Sequence, residues 1–284
     1  MIKNILLTGS GGFVGRNLKE YFAEKYKLFC PRSFELDLTK FEEVEEFFLK
    51  NKIDFIIHCA TTGGVRDCID PINCETDNLK MVTNLLTAKT QDTKLLMFGS
   101  GAAYAKHRAL HKVKESQIGD VIAHDQYGRS KMHMAQLAQT RNDMLCLNIF
   151  ACYGKYEKES RFPSYAVIQN LKHEPIVINQ NVIFDYLYIN DLCKIVEAFI
   201  KNFPKHRVIN VTPTQSVSLF DIAQIVNKIS GYNVPVNFKK AGLNFEYTGD
   251  NSLLLKELPE LKFTSMEEGL THLQKYISKS LDYM

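Results

Sequence analysis

The sequence lacks the features that mark membrane-spanning and nucleic-acid-binding proteins. No apolar run approaches the roughly 20 residues that a membrane-spanning helix needs. The lysines and arginines are scattered without a basic tract, and the formal charge of +3 over 284 residues is close to neutral. Neither a membrane nor a nucleic acid is therefore an expected partner. The short apolar run Ile5–Leu7 meets Thr8 and Gly9 at once, so we also expect no secretory leader.

Cysteine is present, but in no arrangement that suggests a structural framework. None of the seven cysteines belongs to a C-x-x-C pair, and their number is odd. This usage argues against a set of disulfide bonds and against a zinc site, so we expect no bound metal. Cysteines inside apolar runs, such as Cys59 and Cys146, act as small hydrophobic side chains. A reducing compartment, the cytoplasm, fits this usage best.

The first half of the chain alternates short apolar runs with amphipathic stretches. The apolar runs predict strands over Ile2–Leu7, Lys27–Cys30, Asp54–Cys59, Lys94–Gly99 and Met144–Phe150. The stretches between them predict helices over Gly12–Lys25, Phe41–Asn51, Pro71–Lys89 and Gln126–Gln139. Continuous apolar strands between helices are typical of a parallel sheet covered on both faces. The predicted fold class is α/β, with a Rossmann-type doubly wound parallel sheet.

The second half is less regular and predicts a small, interleaved C-terminal substrate lobe. Its predicted elements are a strand at Val182–Ile189, a helix at Asp191–Lys201, a strand at Val208–Val211, and helices at Ser218–Ser230 and Glu267–Lys279. Ser218 is the expected N-cap of its helix, with Asp221 completing a capping box and Gly231 ending the helix. We expect a cofactor domain at 1–160 plus about 182–212, and the lobe at about 161–181 and 213–284.

A glycine-rich turn joins the first predicted strand to the first predicted helix. Gly9, Gly12 and Gly15 have the spacing G-x-x-G-x-x-G. Glycines let the backbone turn tightly and approach a pyrophosphate, which binds where the helix N–H groups and dipole favour negative charge. We therefore predict a dinucleotide cofactor. The residues of the turn expected to contact it are Gly9, Gly11, Gly12, Phe13, Val14 and Gly15.

The choice between the two nicotinamide cofactors depends on where the second strand ends. An acid at that point binds the 2′-hydroxyl of NAD, whereas an arginine accommodates the 2′-phosphate of NADP. A strand ending at Cys30 places Arg32 there, and a longer strand places Glu35 there. Pro31 would end a central strand, which favours Arg32. We therefore favour NADP(H) and keep NAD(H) as the alternative.

Tyr127 and Lys131 lie four residues apart, one above the other on the predicted helix Gln126–Gln139. A lysine ammonium beside a phenol favours the phenolate, so the pair predicts a tyrosine pKa lowered towards working pH. Such a tyrosine is a general acid for a sugar or alcohol oxygen during hydride transfer. The spacing alone is weak evidence, because it also occurs in helices whose tyrosine and lysine are merely exposed.

With both motifs in place, the chain resembles the extended short-chain dehydrogenase/reductase family over nearly its whole length. The resemblance includes Phe98–Tyr104, in which Ser100 lies four residues before a tyrosine, at the catalytic serine position. It implies that Ser100, Tyr127 and Lys131 are catalytic, and that the serine and the tyrosine contact the substrate. Further cofactor contacts implied by the resemblance are Asp37, Leu38, Ala60, Thr61, Asn78 and Lys131.

Within that family the chain is most similar to the GDP-fucose synthase-like reductases of nucleotide 4-keto sugars. Phe98–Lys106 and Cys30–Leu36 carry this likeness. In those enzymes the arginine of the second segment faces NADP, which supports Arg32. The resemblance implies a nucleotide-sugar substrate, reduction of a C4 keto group with NADPH during glycan precursor synthesis, and a homodimer.

Two departures from the family pattern narrow the expected reaction. The group uses a cysteine as epimerisation acid or base where this chain has Ala102, and no counterpart of its partner histidine follows Tyr153 and Gly154. Dehydratases carry an Asp-Glu pair where this chain has Gly101 and Ala102. The resemblance therefore implies a reductase without epimerase or dehydratase activity.

Further departures concern the substrate. Arginines of the family are replaced by Asn148 and by Phe184, and the latter position often meets the nucleotide diphosphate. Arg161 or Lys155 could replace that contact, and Arg161 is the expected substrate-binding residue. Two alternatives stay open: a nucleotide-sugar 4-epimerase with tightly bound NAD, and a non-catalytic family member that binds NADP and regulates a partner.

Overall fold

The computed structural model describes residues 2–65 and 68–281, with the backbone alone at residues 280 and 281. Residues 1, 66–67 and 282–284, which belong to the expected domains, lie outside this description. The described strands are β1 Asn4–Thr8, β2 Lys27–Phe29, β3 Phe55–His58, β4 Lys94–Ser100, β5 Leu110–Val113, β6 Met144–Ile149, β7 Ala151–Tyr153, β8 Ile176–Ile178, β9 Ile183–Phe184, β10 Tyr186–Tyr188, β11 Val208–Val211, β12 Val217–Ser218, β13 Val236–Phe238 and β14 Tyr247–Gly249. The described helices are α1 Phe13–Phe22, α2 Phe41–Lys50, α3 Cys74–Ala88, α4 Gln126–Gln139, α5 Phe162–Leu171, α6 Ile189–Lys201, α7 Leu219–Ser230, α8 Ser252–Glu257 and α9 Met266–Leu281.

Six parallel strands form the central sheet in the order β11-β6-β4-β3-β1-β2. The chain starts at β1, next to one edge of the sheet, moves outward to the edge strand β2 and then crosses back over β1 to β3. This reversal creates a crevice at the carboxyl ends of β1 and β3, which is where doubly wound sheets bind their ligands. The predicted fold class is confirmed.

Helices cover both faces of the sheet and explain the continuous apolar strands. Helix α3 packs against α2 and α4, and α1 packs against α6. Successive residues of β1 face opposite sides: Ile5 and Leu7 belong to one buried cluster, and Leu6 to the other. A strand covered on two faces buries every side chain, so no polar alternation is visible in the sequence.

The predicted strand Val182–Ile189 is wrong as a single element. The structure divides it at Asp185 into β9, which pairs with β12 and β14, and β10, which pairs with β7. The carboxylate of Asp185 is fully buried and accepts hydrogen bonds from the Gly249 amide at 2.9 Å and from Ser216 Oγ at 2.6 Å. These bonds turn the chain between two small sheets, and a periodic pattern does not show them.

The C-terminal lobe is built mainly from helices α5, α7 and α9, which pack on one another. Helix α7 has the predicted termini: Ser218 Oγ accepts from the Asp221 amide at 3.1 Å, and Gly231 has a left-handed φ of 76°. Helix α5 was not predicted, although Pro163 in its first turn is a helix-start signal. The lobe forms one wall of a large cleft, and the carboxyl edge of the central sheet forms the other.

Candidate active site

Close backbone contacts explain the glycines of the turn between β1 and α1. Gly9 has a left-handed φ of 62°, and a Cβ there would lie 2.5 Å from the Ala60 nitrogen. A Cβ at Gly15 would lie 2.2 Å from the Gly9 carbonyl oxygen. The amide of Gly12 donates to the same oxygen at 3.0 Å. A side chain at Gly9 or Gly15 would therefore push the turn away from β3 or from α1.

The turn leaves the N-terminus of α1 open for an anion. Gly12 is the N-cap, no side chain caps the helix, and no acidic residue lies in the first turn, which begins with Phe13 and Val14. The guanidinium of Arg32 lies over this turn, because a Cβ at Gly11 would be 3.3 Å from its Cζ atom. Free helix amides beside a guanidinium suit the phosphates of a dinucleotide.

The two residues considered for the cofactor choice, Arg32 and Glu35, have different surroundings after β2. Strand β2 ends at Phe29, and the carboxylate of Glu35 accepts from the Arg32 amide at 2.6 Å, which closes the turn. Asp37 accepts from the Thr39 hydroxyl at 2.7 Å and from the Thr39 amide, and these bonds hold the pKa of Asp37 below its usual value. Leu38 is buried beneath this turn. Adenine contacts at residues 37 and 38 stay predictions.

A buried network holds the end of β3 in place. Thr8 Oγ1 lies 2.8 Å from His58 Nδ1 and accepts from the Ala60 amide at 3.2 Å. Burial, and then the nearby Lys131 charge, lowers the pKa of His58 to about 3, so the ring is neutral. These bonds hold Ala60 next to Gly9 of the glycine turn.

Asn78 supports the neighbouring segment from below. It is 1% exposed, donates to the Thr62 carbonyl and to Ser130 Oγ, each at 3.1 Å, and accepts from the Thr62 amide at 2.9 Å. The Thr61 hydroxyl donates to Asn78 Oδ1 at 3.2 Å. With its amide engaged inside the protein, Asn78 ties the 61–62 segment to α4. It thereby shapes the cleft without lining it.

Two carboxylates position the first turn of α4. Asp125 is the N-cap and accepts from the Gly128 amide at 2.8 Å. Asp70 accepts from the Tyr127 amide at 3.1 Å and from the Gly64 amide at 2.8 Å. Asp70 therefore joins α4 to the loop after β3. The sequence reasoning missed it, because a single aspartate in a loop carries no local signal.

Lys131 is inside the protein, 4% exposed, with its Nζ donating to the Phe98 carbonyl at 2.9 Å. This Nζ lies 5.3 Å from the centroid of the Tyr127 ring, as the four-residue spacing predicts. Burial lowers the pKa of Lys131 to about 8. The pair is thus formed, but in a much drier site than the sequence indicated.

The predicted lowering of the Tyr127 pKa is wrong for this structure. Burial raises the pKa of Tyr127 to about 12, with smaller lowering effects from the hydroxyl of Ser100 and the charge of Arg161. Desolvation of the phenolate outweighs those favourable interactions. Tyr127 is therefore held as a neutral phenol.

Ser100 ends β4 beside Tyr127, at the bottom of the cleft. Its Oγ accepts from the Ala102 amide at 3.1 Å. It also interacts with Tyr127 and with Tyr247, a residue that the sequence reasoning missed. Tyr247 belongs to β14, and no motif connects it to the catalytic segments.

The cleft has a volume of about 1170 Å³ and brings the predicted substrate residues together. Ser100, Tyr127 and Arg161 all line it, as does Phe184. Lys155, the other residue considered for the diphosphate, does not line it. Its Nζ instead lies 2.8 Å from Glu20 on α1, so that expectation is wrong.

Asn148 and Phe184, which stand where the family has arginines, are both packed against other side chains. Asn148 is fully buried and donates to the Tyr104 hydroxyl and to Asn210, away from the cleft. The ring of Phe184 packs against that of Tyr247, with the ring centroids 5.7 Å apart.

Among the residues that the structure describes, no group of three or more His, Cys, Asp or Glu side chains could hold a metal ion. No helix in the described part is long and apolar enough to cross a membrane.

Comparisons with known proteins agree with this geometry. A profile of the NAD dependent epimerase/dehydratase family matches residues 5–212. GDP-L-colitose synthase from Yersinia pseudotuberculosis is 27% identical over 300 residues, which cover 96% of this chain and 97% of the relative. A GDP-L-fucose synthetase from Naegleria fowleri bound to NADP superimposes with a TM-score of 0.84 at 16% identity, covering 99% of this chain and 94% of the other.

A third protein, a GDP-mannoheptose C4 reductase from Campylobacter jejuni with NADP bound, superimposes with a TM-score of 0.81. It is 17% identical, and the superposition covers 98% of both chains. At this identity the two superpositions establish the fold, while the profile match covers most of the chain. The protein is an NAD(P)-dependent oxidoreductase, and it belongs to the NAD dependent epimerase/dehydratase family.

Proposed function

We propose that the protein reduces the C4 keto group of a nucleotide-activated deoxysugar with NADPH, without epimerising the sugar. The observation that carries this proposal is the convergence of Ser100, Tyr127 and Lys131 at the carboxyl edge of the sheet, between the glycine turn and the substrate cleft. A bound NADPH would supply the hydride. The protein then has to orient the ketone, stabilise the developing charge on its oxygen and provide a proton.

The three side chains divide this work. The hydroxyls of Ser100 and Tyr127 both face the cleft, where they can donate to the carbonyl oxygen and stabilise its charge. A phenol with a pKa near 12 is fully protonated at neutral pH, so Tyr127 can give its proton to the alkoxide. Lys131 donates to the Phe98 carbonyl, its Nζ lies 5.3 Å from the centroid of the Tyr127 ring, and it would hold a ribose hydroxyl of the bound cofactor.

The cofactor half of the proposal is a preference for NADP over NAD. It is supported by the guanidinium of Arg32 over Gly11 and by the use of Glu35 to close the turn. A 2′-phosphate beside Arg32 would gain a charge-assisted, bidentate contact. A 2′-hydroxyl would meet no free carboxylate at this turn.

The proposed substrate is a nucleoside diphosphate sugar, and GDP is the first nucleotide to test. Arg161 and Lys239 both line the cleft and provide the positive charge that a diphosphate requires. The cleft volume exceeds that of most drug-sized sites, as a nucleotide sugar demands. The names of GDP-L-colitose synthase and of the GDP-linked reductase support guanosine as the base. We further propose a homodimer, which light scattering of the purified protein would test, and a cytoplasmic location, which fractionation of the producing cells would test.

The absence of epimerase and of dehydratase activity is proposed from two small residues. Position 102 is an alanine, 3% exposed, which has no proton to transfer. Position 101 is a glycine with no space for a carboxylate, because a Cβ there would lie 2.7 Å from Phe150 Cδ1. Other titratable side chains, Asp70 and His124, also line the cleft, so the experiment below includes an isotope test for proton exchange.

The test incubates the protein and NADPH with GDP-, dTDP-, UDP- and CDP-linked 4-keto sugars in separate reactions. A gain of two hydrogens by mass spectrometry with one of them is the expected result. Tyr127→Phe should reduce turnover by a factor of about 10² to 10⁴. Tyr21→Phe, which removes a phenol bonded to Glu197 on α6, is the matched control and should keep full turnover.

Repeating the reaction in D₂O distinguishes reduction from epimerisation. Simple reduction leaves the carbons beside the ketone unlabelled, whereas epimerisation exchanges their hydrogens with solvent. Deuterium at C3 or C5 would refute the proposal that epimerase activity is absent. Wild-type turnover by Tyr127→Phe, or no reduction of any of the four sugars, would refute the proposed reaction.

A further inference from the structure

We propose that Tyr247 is a positioning residue, whose hydroxyl donates to Ser100 Oγ and so directs the serine proton at the substrate ketone. This inference rests on the proposed function, because it concerns the same carbonyl oxygen. Tyr247 lies in β14, in the C-terminal half of the chain, whereas Ser100, Tyr127 and Lys131 belong to the cofactor-binding half. The C-terminal half would thereby complete the catalytic centre.

The position of the Tyr247 hydroxyl is defined by three contacts. A Cβ placed on Gly101 would lie 2.5 Å from this oxygen, so the hydroxyl rests against the residue that follows Ser100. Its ring is held between Phe150, with ring centroids 5.3 Å apart, and Phe184, at 5.7 Å. Tyr247 also lines the same cleft as Tyr127.

Two strand pairings fix the backbone of Tyr247. Within the four-stranded sheet it is paired with Leu110 of β5 and with Phe184 of β9. A residue paired on both sides has little freedom to move its hydroxyl away. Burial raises the pKa of Tyr247 above its usual value, so the hydroxyl keeps its proton and is available as a donor.

The number of hydrogen bonds that Ser100 can make determines what a bond from Tyr247 would do. A serine hydroxyl has one proton and two acceptor sites. The Ala102 amide already occupies one acceptor site of Ser100, at 3.1 Å. A proton from Tyr247 would occupy the second, and the serine proton could then only be donated outward, to Tyr127 or to the ketone. Without Tyr247 the same hydroxyl could rotate and accept from the substrate or from Tyr127.

Tyr247 also explains why Gly101 is a glycine. Any side chain at that position would displace the phenol from Ser100, because its Cβ would already overlap the hydroxyl oxygen. An acidic residue, such as dehydratases carry there, and Tyr247 in its present place are therefore mutually exclusive. Tyr247 can therefore occupy its present place only because residue 101 is a glycine.

The first test is a double-mutant cycle with Tyr247→Phe and Ser100→Ala. Phenylalanine keeps the ring between Phe150 and Phe184 and removes only the hydroxyl. We expect kcat to fall about tenfold, as for one neutral hydrogen bond, with KM unchanged. In the Ser100→Ala background the same substitution should have no further effect, because Tyr247 acts through the serine. Tyr21→Phe is again the matched control.

Two kinetic results would overturn the inference. One is an equal loss of kcat from Tyr247→Phe in the presence and absence of the Ser100 hydroxyl. The other is a raised KM with kcat unchanged, which would mean that Tyr247 contacts the sugar directly.

A second measurement needs no substrate and separates this inference from the proposed function. The protein is labelled with [ζ-¹³C]tyrosine, and the Tyr127 signal is assigned with Tyr127→Phe. Tyr247→Phe should shift the Tyr127 signal in the otherwise unchanged protein and leave it in place in the Ser100→Ala background. An unmoved signal refutes the Tyr247–Ser100 contact even if the protein proves to be a reductase. A shifted signal supports the contact even if no 4-keto sugar is reduced.

Discussion

Replacing Lys131 with methionine should abolish turnover and, near neutral pH, leave the folded protein as stable as before or more so. The lysine is 4% exposed, and its ammonium has one hydrogen-bond acceptor, the Phe98 carbonyl at 2.9 Å. Methionine has a similar length and no charge to desolvate. The perturbation therefore removes a buried charge while nearly conserving the volume of the side chain.

The magnitude follows from the pKa of Lys131, which burial lowers to about 8 from 10.5. That difference corresponds to roughly 3 kcal/mol against the charged form in the folded protein. Losing the bond to the Phe98 carbonyl costs about 1–3 kcal/mol. Below pH 8 the two effects oppose each other, and the variant should gain up to about 2 kcal/mol of unfolding free energy.

The sign of the effect changes with pH. Between about 8 and 10.5 the folded wild-type lysine is already neutral, while the unfolded lysine is still charged. The unfolded state then binds more protons, so the wild-type protein becomes more stable as the pH rises. The advantage of Lys131→Met should therefore shrink by roughly 3 kcal/mol across this range, leaving the variant less stable than wild type at its upper end.

Urea denaturation of both proteins at several pH values measures this difference directly. Lys52→Met, which replaces an exposed lysine, is the matched control and should show a difference that does not change with pH. A pH-independent difference for Lys131→Met as well would refute the reasoning, because it would mean that burial does not lower the pKa of Lys131. Turnover by the variant close to that of wild type would refute the catalytic role.

Three further predictions test the cofactor turn, the Tyr247 contact and a helix cap. In isothermal titration, Arg32→Ala should weaken NADPH binding by about tenfold or more and leave NADH binding unchanged. An equal loss of affinity for both cofactors would contradict the NADP preference. Gly101→Ala should lower the unfolding free energy by about 1–3 kcal/mol, because the added Cβ overlaps the Tyr247 hydroxyl and the Phe150 ring. An unchanged midpoint of urea denaturation would contradict the close approach of these two side chains to Gly101. Ser218→Ala should cost about 1 kcal/mol by the same assay, and no loss would mean that the capping box of α7 adds no stability.

Local pattern was sufficient for the elements of the central sheet. Strand β11 and helix α4 have the predicted bounds, Val208–Val211 and Gln126–Gln139. Apolar runs and turn residues are local properties, so their positions can be read without knowing the partners. The glycine turn was equally readable, since strand, glycines and helix follow one another directly.

Elements whose form depends on distant partners were not predictable in the same way. Asp185 breaks the expected strand Val182–Ile189 because its buried carboxylate bonds to Gly249 and Ser216. Lys155 has the right charge for a diphosphate, but Glu20 on α1 holds it outside the cleft. In each case the decisive neighbour lies far away in the sequence.

The sequence by itself determined the reacting groups: the glycine turn, Ser100, and the spacing of Tyr127 and Lys131 on one helix face. Only the tertiary structure decided the pKa values of these groups and which distant residues lie beside them. Burial is a sum over neighbours from many elements, so it raises the pKa of Tyr127 where the spacing alone predicted a lowering. Strand pairing between distant parts of the chain brings the Tyr247 hydroxyl against Gly101, next to Ser100, and no local pattern of residues encodes this pairing.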